Sequence, residues 1–342
     1  MTKKIYTFSK KQTAFYFDAD FSYLEKLTGD SHTVIVTDEN VFKKHKAKFG
    51  PWKTVVIKAG EVHKTQETVD GLILELMKAG ADRKTMLVGV GGGVVTDITG
   101  YVASIYMRGI RFGFVPTTIL AMVDASIGGK NGVDVGVYKN LVGTINQPEF
   151  LLYDISLLKT LPKAEWINGF AEIIKHACIK DAIMFRQLET HKLLDYARDM
   201  TLLNALIKRN ALIKAGVVTM DEFEKGERRL LNFGHTLGHA IENTLELAHG
   251  EAVAIGMVGA AVLSESLTGF KATGKLVNVL ERYGLPTNAR FDSSSIFDIL
   301  KMDKKKEGAG MNYILLEKIG KASVHLLPLE TVEKFIYQLQ QQ

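Results

Sequence analysis

Along the first half of the chain, short β-branched apolar runs alternate with segments of helical spacing. The runs are Thr33–Thr37 (TVIVT), Thr54–Ile57, Thr85–Val90 (TMLVGV) and Phe112–Val115. Between them, Thr68–Ala79 and Asp97–Met107 repeat apolar residues at three and four, and Gly80 is placed to cap the first of these helices. The rhythm predicts βαβ units on a parallel sheet, a Rossmann-like layer. From about Glu165 the period changes. NGFAEIIKHACIK, LLNALIKRNALIKAGVV, GHTLGHAIENTLEL and GEAVAIGMVGAAVLSESL all carry helical spacing. MNYILLEKIGKASVHLLPL instead alternates about Gly320, which predicts a late hairpin before a C-terminal helix. The expected fold class is therefore α/β followed by α, with residues 1–160 as a nucleotide-type sheet domain and 161–342 as a mainly helical one. The join at LLYDISLLKTLP has no linker composition, so close packing with a cleft between the parts is expected.

Composition narrows the class. A chain of 342 residues, 46% hydrophobic and 24% charged, can bury two cores. The single cysteine, Cys178, the start MTKKIYTFSKKQ and the lack of an apolar run of about 18 residues predict a cytoplasmic protein without a membrane span. The net charge of +5 is spread over the chain without a Lys/Arg block, which argues against a nucleic-acid partner and leaves room for a small anionic one.

Three groups of residues carry candidate chemistry. The passage Val88–Val95 (VGVGGGVV), with Asp97 following, is a glycine-rich strand-to-helix turn, where backbone and helix N-terminus favour a diphosphate. Its fingerprint is irregular, since Val94 stands at the third glycine position and the next strand ends in Pro116-Thr117-Thr118 without an acid; Asp38, after TVIVT, is the alternative ribose ligand, with Asn40 nearby. His235 and His239 lie four apart on a helix, so spacing makes them the first candidates for a shared metal, with His249 after them. No Glu stands between them as a metalloprotease base. Glu172, on an apolar helix, is the candidate third ligand; its competing reading is a surface ion pair with Lys175 at i+3. Finally Lys130, Lys139 with Asn140, Lys214, and Arg228 with Asn232 form a set of cations and amides suited to a phosphate and a carboxylate.

The segments AMVDASIGGKNGV, GFAEIIKHA, LLNFGHTLGHAIE with the following HGEAVAIGM, and GGGVVTD resemble the 3-dehydroquinate synthases, and the likeness covers nearly the whole chain. The resemblance implies an enzyme that binds NAD, zinc or cobalt, and a phosphorylated heptulosonate, and that acts as a homodimer. It places metal ligands at Glu172, His235 and His249, and moves His239 to the substrate. NAD contacts fall on Asp38, Asn40, Glu61, Lys64, Gly92, Gly93, Val94, Asp97, Thr117, Thr118, Lys139, Asn140 and Thr160. Substrate contacts fall on Asp124, Lys130, Asn140, Lys175, Lys214, Arg228, Asn232, His239 and Lys304, with Arg108 supplied by a neighbouring subunit. The implied chemistry is oxidation by NAD, β-elimination of phosphate, re-reduction and an intramolecular aldol closure. Thr96 stands where the family more often has glycine. The rival readings are a metal-dependent NAD polyol or alcohol dehydrogenase, a sister sugar-phosphate cyclase and a non-catalytic binding module; the cations argue against a neutral alcohol, which would leave them unpaired.

Overall fold

The structure, a computed structural model, describes residues 1–9, 11–136, 138–304 and 310–340, and of Tyr138, Met302, Asp303 and Lys304 the backbone alone. Its contacts divide the chain into two units: Met1–Glu165 with Met200–Glu222, and Trp166–Asp199 with Phe223–Gln342. The boundary expected at 160/161 thus lies at Glu165, and the helix Met200–Met220, expected in the second part, belongs to the first. Periodicity identifies a helix but is silent about what its apolar stripe packs against.

The first unit is built on a seven-stranded sheet in the order β1-β2-β9-β6-β5-β3-β4. Its strands are β1 (Thr2–Phe8), β2 (Lys11–Phe17), β3 (Thr33–Asp38), β4 (Lys53–Ile57), β5 (Met86–Gly91), β6 (Arg111–Pro116) and β9 (Phe150–Leu152), and between β6 and β9 the chain makes a separate hairpin of β7 (Lys130–Val135) and β8 (Tyr138–Ile145). β1 and β2 are antiparallel, whereas every other pairing in the large sheet is parallel. β5 is buried along its whole length, as a central parallel strand must be when both faces are covered. Ile35, Met86, Val88, Val90, Val115, Phe150 and Leu152 form one core with Phe21, Leu24 and Phe49. The chain steps from β3 out to β4 and then returns to β5 on the other side of β3. The strand order therefore reverses between β3 and β5, and at such a switch point the carboxyl ends open a ligand crevice.

The second unit is mainly helical, with one hairpin, β10 (Gly310–Lys318) and β11 (Lys321–Pro328), turning at Gly320 (φ +85°), and a final helix Leu329–Leu339. Phe170 stacks on Tyr283 at 4.9 Å in its core. Among the described residues one helix, His249–Thr268, has the length and apolarity of a membrane span; 67% of that stretch is buried, as in a core helix. Its partner is the preceding helix, His235–Leu245. Glycines permit their close approach: a Cβ at Gly238 would stand 3.0 Å from the Ala252 carbonyl oxygen, and one at Gly256 would overlap that of Gly234.

Candidate active site

In the first unit, β5 ends at Gly91, and Gly92, in extended conformation, caps the helix Gly93–Ile105. A side chain at Gly91 would overlap Val95, and one at Gly92 would come within 3.0 Å of Thr118 Cγ2, so the turn closes only with glycine. The first amides of that helix have no intrahelical acceptor and favour an anion. Thr117, after β6, is buried, and its Oγ1 has no hydrogen-bond partner among the described residues. Asp38 ends β3 on the other side of the switch point. Its carboxylate accepts from the Asn40 and Val41 amides at 2.9 Å each, capping the helix Glu39–His45, and burial raises its pKa. An open amide turn, an unsatisfied buried hydroxyl and an acid at the neighbouring strand end fit a dinucleotide. Thr96 turns its hydroxyl onto the Gly93 carbonyl oxygen at 2.9 Å, within the helix and away from the turn.

Four of the predicted cofactor residues meet at Lys64. Its buried ammonium lies 2.6 Å from Asp97 Oδ2, 2.6 Å from Asn140 Oδ1 and 3.6 Å from Glu61 Oε1. Burial works against this charge, but the carboxylates of Asp97 and Glu61 outweigh it and hold Lys64 above the ordinary lysine range. One ammonium shared among several acids does not compensate Asp97 fully, and burial raises its carboxyl to about 6. Asp134, which the sequence reading missed, binds the Asn140 amide at 2.7 Å and donates its own amide to the Lys64 carbonyl oxygen at 2.8 Å. Asn140 takes a positive φ of 54° there. Lys139 and Asn40 are exposed, Val94 is half-buried, and Thr160 binds His45 Nε2 at 2.8 Å.

The same unit holds Lys214 against Asp124: the ammonium lies 2.7 Å from Asp124 Oδ1 and donates to its carbonyl oxygen at 2.7 Å. This contact explains why the helix Met200–Met220 belongs with the sheet. Lys130 opens β7 and is exposed. Arg108 is exposed in a turn of three successive left-handed residues, Met107 (φ 49°), Arg108 (φ 67°) and Gly109 (φ 118°).

In the second unit, the helix Lys163–Lys180 carries Asn168 and Glu172 on one face, one turn apart. Asn168 Oδ1 accepts the Gly250 amide at 2.5 Å, and Glu172 Oε1 lies 3.4 Å from His249 Nε2 and 3.5 Å from His235 Nε2. The Glu172–Lys175 pair is no surface pair: both side chains are buried, with Lys175 Nζ on Glu172 Oε2. His235 Nδ1 is 3.2 Å from the Phe233 carbonyl oxygen, and His249 Nδ1 is 3.3 Å from Glu242 Oε2. Each acceptor takes a hydrogen bond from Nδ1, which leaves Nε2 facing Glu172. Two imidazole nitrogens and a carboxylate oxygen converging in this way suit a divalent cation, and donor atoms of the three residues lie within 4.8 Å of one another. Burial, and then the Lys175 charge, hold His235 well below the ordinary histidine value; for His249 burial is outweighed by Glu172 and Glu242, which raise it to about 9.

His239 is exposed, with its ring 5.1 Å from that of His235 and 6.2 Å from that of His249. His239, Glu242 and His249 also have donor atoms within 4.8 Å. Glu242, however, already faces the Nδ1 edge of His249, so the Glu172 set is the better donor group. Arg228 is buried in the 3-10 helix Glu227–Asn232, and Asn232 Nδ2 donates to Glu224 Oε1 at 2.5 Å. Glu224 was also missed by the sequence reading; its positive φ of 58° marks it in the structure. Lys304 ends the helix Ser293–Lys304, and its side chain lies outside the described residues.

Models of the N-terminal and C-terminal parts of 3-dehydroquinate synthase match residues 54–168 and 169–306. The chain belongs to the 3-dehydroquinate synthase family. A 3-dehydroquinate synthase of Leptospira interrogans serogroup Icterohaemorrhagiae is 39% identical over 308 residues, 87% of this chain and 85% of the relative. Among solved structures, 2-deoxy-scyllo-inosose synthase, complexed with carbaglucose-6-phosphate, NAD+ and Co2+, has a TM-score of 0.87 at 26% identity, covering 98% of this chain and all of that one. The 2-epi-5-epi-valiolone synthase of Streptomyces hygroscopicus, with NAD+ and Zn2+ bound, is equally near, with a TM-score of 0.87, 26% identity and 98% of each chain covered.

Proposed function

We propose that this chain is a 3-dehydroquinate synthase, a carbon–oxygen lyase of the shikimate pathway that converts 3-deoxy-D-arabino-heptulosonate 7-phosphate to 3-dehydroquinate and phosphate. The observation that carries the reading is the convergence of Glu172, His235 and His249, in a member of this family, on a point suited to a divalent cation. When bound, NAD supplies reversible hydride transfer at a ring hydroxyl, and zinc or cobalt polarises hydroxyl oxygens. The protein's own tasks are binding and orientation. The Gly92–Val94 amides receive the diphosphate, and Asp38, Asn40, Glu61, Lys64, Asp97, Thr117, Thr118, Lys139, Asn140 and Thr160 complete the NAD site. Lys130, Asn140, Lys175, His239 and the Arg108 of a second copy clamp the substrate phosphate, and an oxygen of that phosphate accepts the proton removed beside the new ketone. Lys214, held by Asp124, and Arg228, Asn232 and Lys304 address the carboxylate and hydroxyls. In this reading the enzyme is a cytoplasmic homodimer, as the family resemblance implies, and Arg108, exposed in its turn, is the residue that would reach the second copy's site.

The test incubates the purified protein with the heptulosonate phosphate and trace NAD, with and without chelator, following phosphate and NADH together. Chelator-sensitive phosphate release far beyond the NAD supplied, without NADH accumulation, is expected. No phosphate release with zinc or cobalt present would overturn the reading, and NADH accumulation on a polyol would favour a dehydrogenase.

A further inference from the structure

The two imidazoles of the donor cluster are held differently. His235 is oriented by a backbone carbonyl, that of Phe233, two residues before it. His249, like His235 the first residue of its helix, is oriented by a side chain from the neighbouring helix, the carboxylate of Glu242. Glu242 lies two turns beyond His235 on the helix His235–Leu245, and it is buried. A carboxylate so placed needs a strong partner, and His249 Nδ1 at 3.3 Å is one.

We infer that Glu242 is the positioning residue of the cation site: it holds the His249 proton on Nδ1, so that Nε2 faces Glu172. The inference rests on the reading of Glu172, His235 and His249 as that site. The ring geometry supports it, because Nδ1 and Nε2 lie on opposite edges of the imidazole, and Glu242 and Glu172 take one edge each. Glu242 thus acts through His249 without becoming a ligand itself. Its charge also makes the imidazole a stronger donor, as an acidic hydrogen-bond acceptor does for metal-bound histidines in general. Asn168 supports the same arm from the other side by accepting the Gly250 amide, which fixes the helix start that carries His249.

The experiment measures cobalt affinity by chelator competition, with the visible cobalt absorption spectrum, on the full chain as wild type, Glu242→Gln, Glu242→Ala, Glu242→Asp and His249→Ala, and records the melting temperature of each metal-free protein. Glu242→Gln keeps the size of the side chain and removes its charge. It is expected to weaken cobalt binding about 10-fold and to change the spectrum, and Glu242→Ala to weaken binding up to about 100-fold, with partial recovery in Glu242→Asp and little change in metal-free melting of Glu242→Gln. Wild-type affinity and spectrum in Glu242→Gln and Glu242→Ala, with binding lost in His249→Ala, would overturn the role of Glu242 and leave the cation site standing. Weakened binding matched by a collapse of metal-free melting in Glu242→Gln would overturn it in favour of a structural role. Absence of tight cobalt in the wild type would overturn the site and the inference together.

Discussion

Lys64 in the first unit and Glu172 in the second are both buried charges surrounded by opposite or donor groups, yet they are built to different ends. Around Lys64 the positive charge belongs to the chain itself: one ammonium serves Asp97, Asn140 and Glu61 and compensates the nearby carboxylates in part. Glu172 is divided. Its Oε2 is met by Lys175, as in the first cluster, but its Oε1 faces two imidazole nitrogens whose other edges are already engaged. A cluster that carries its own cation in this way has no need of a soluble ion. One in which two imidazole nitrogens and a carboxylate oxygen converge is suited to one. Residue types alone do not separate the two cases; the orientation of each ring does.

The largest effect expected from breaking the contrast is at the second cluster. His235→Ala removes one of the three donors, and tightly bound metal and turnover should both be lost, kcat/KM falling at least about a thousand-fold. Metal analysis and the phosphate-release assay check it. Retained stoichiometric metal with full turnover would refute the donor assignment.

At the first cluster the effect should appear in stability. Lys64→Met leaves Asp97 and Glu61 without their cation, which should cost about 3–5 kcal/mol in urea unfolding of the NAD-free protein. The double replacement Lys64→Met with Asp97→Leu should recover most of that loss, because a buried ion pair can be exchanged for apolar contact. No such recovery is expected from replacing Glu172 and Lys175 together, since the two imidazoles stay behind. If the Lys64 double variant is as unstable as the single one, Lys64 is not paired in the way the distances indicate.

The same contrast measures what the sequence makes legible. The buried strands β3, β5 and β6 and the glycine turn were readable because central parallel strands are continuous apolar runs and a backbone turn against Thr118 demands glycine. β1 was not, because most of it is exposed and its KKIYT stretch offers no continuous apolar run. The β7–β8 hairpin was missed for a similar reason, with Leu141 and Ile145 outward. Glu172 and Lys175 illustrate the limit at the site: at i+3 they read equally as a surface pair, and only packing by other helices buries them. His239 had the better spacing with His235, but a helix i,i+4 pair specifies direction within one helix and nothing about a third donor. His249 comes from the next helix, brought in through glycine contacts and Asn168.

A smaller effect follows from pH. Burial raises Asp97 to about 6 from the ordinary value near 3.8. A raised acid takes up its proton in the folded state first, so its contribution to stability is present below the unfolded value and is lost as pH rises through about 6. Between pH 4 and 7 the wild type should therefore lose on the order of 2–3 kcal/mol that Asp97→Asn retains. Urea unfolding of both proteins across that range gives the difference. Parallel pH profiles would mean that Lys64 fully compensates the carboxylate and that the first cluster is more completely neutralised than its burial implies.

Thr96 gives the smallest effect and the sharpest control on where cofactor affinity resides. Its hydroxyl is tied to the Gly93 carbonyl oxygen inside the helix and its side chain is buried, so nothing in it faces the turn that the diphosphate would occupy. Thr96→Gly loses that bond and frees the backbone of a helix interior. It should destabilise by about 1 kcal/mol, while the NAD dissociation constant should stay within about threefold of wild type. Calorimetric melting and fluorescence titration with NAD separate the two quantities. A change of tenfold or more in NAD affinity would mean that the helix start moves with its fourth residue, and that the turn is set by side-chain packing behind it rather than by Gly91 and Gly92 alone.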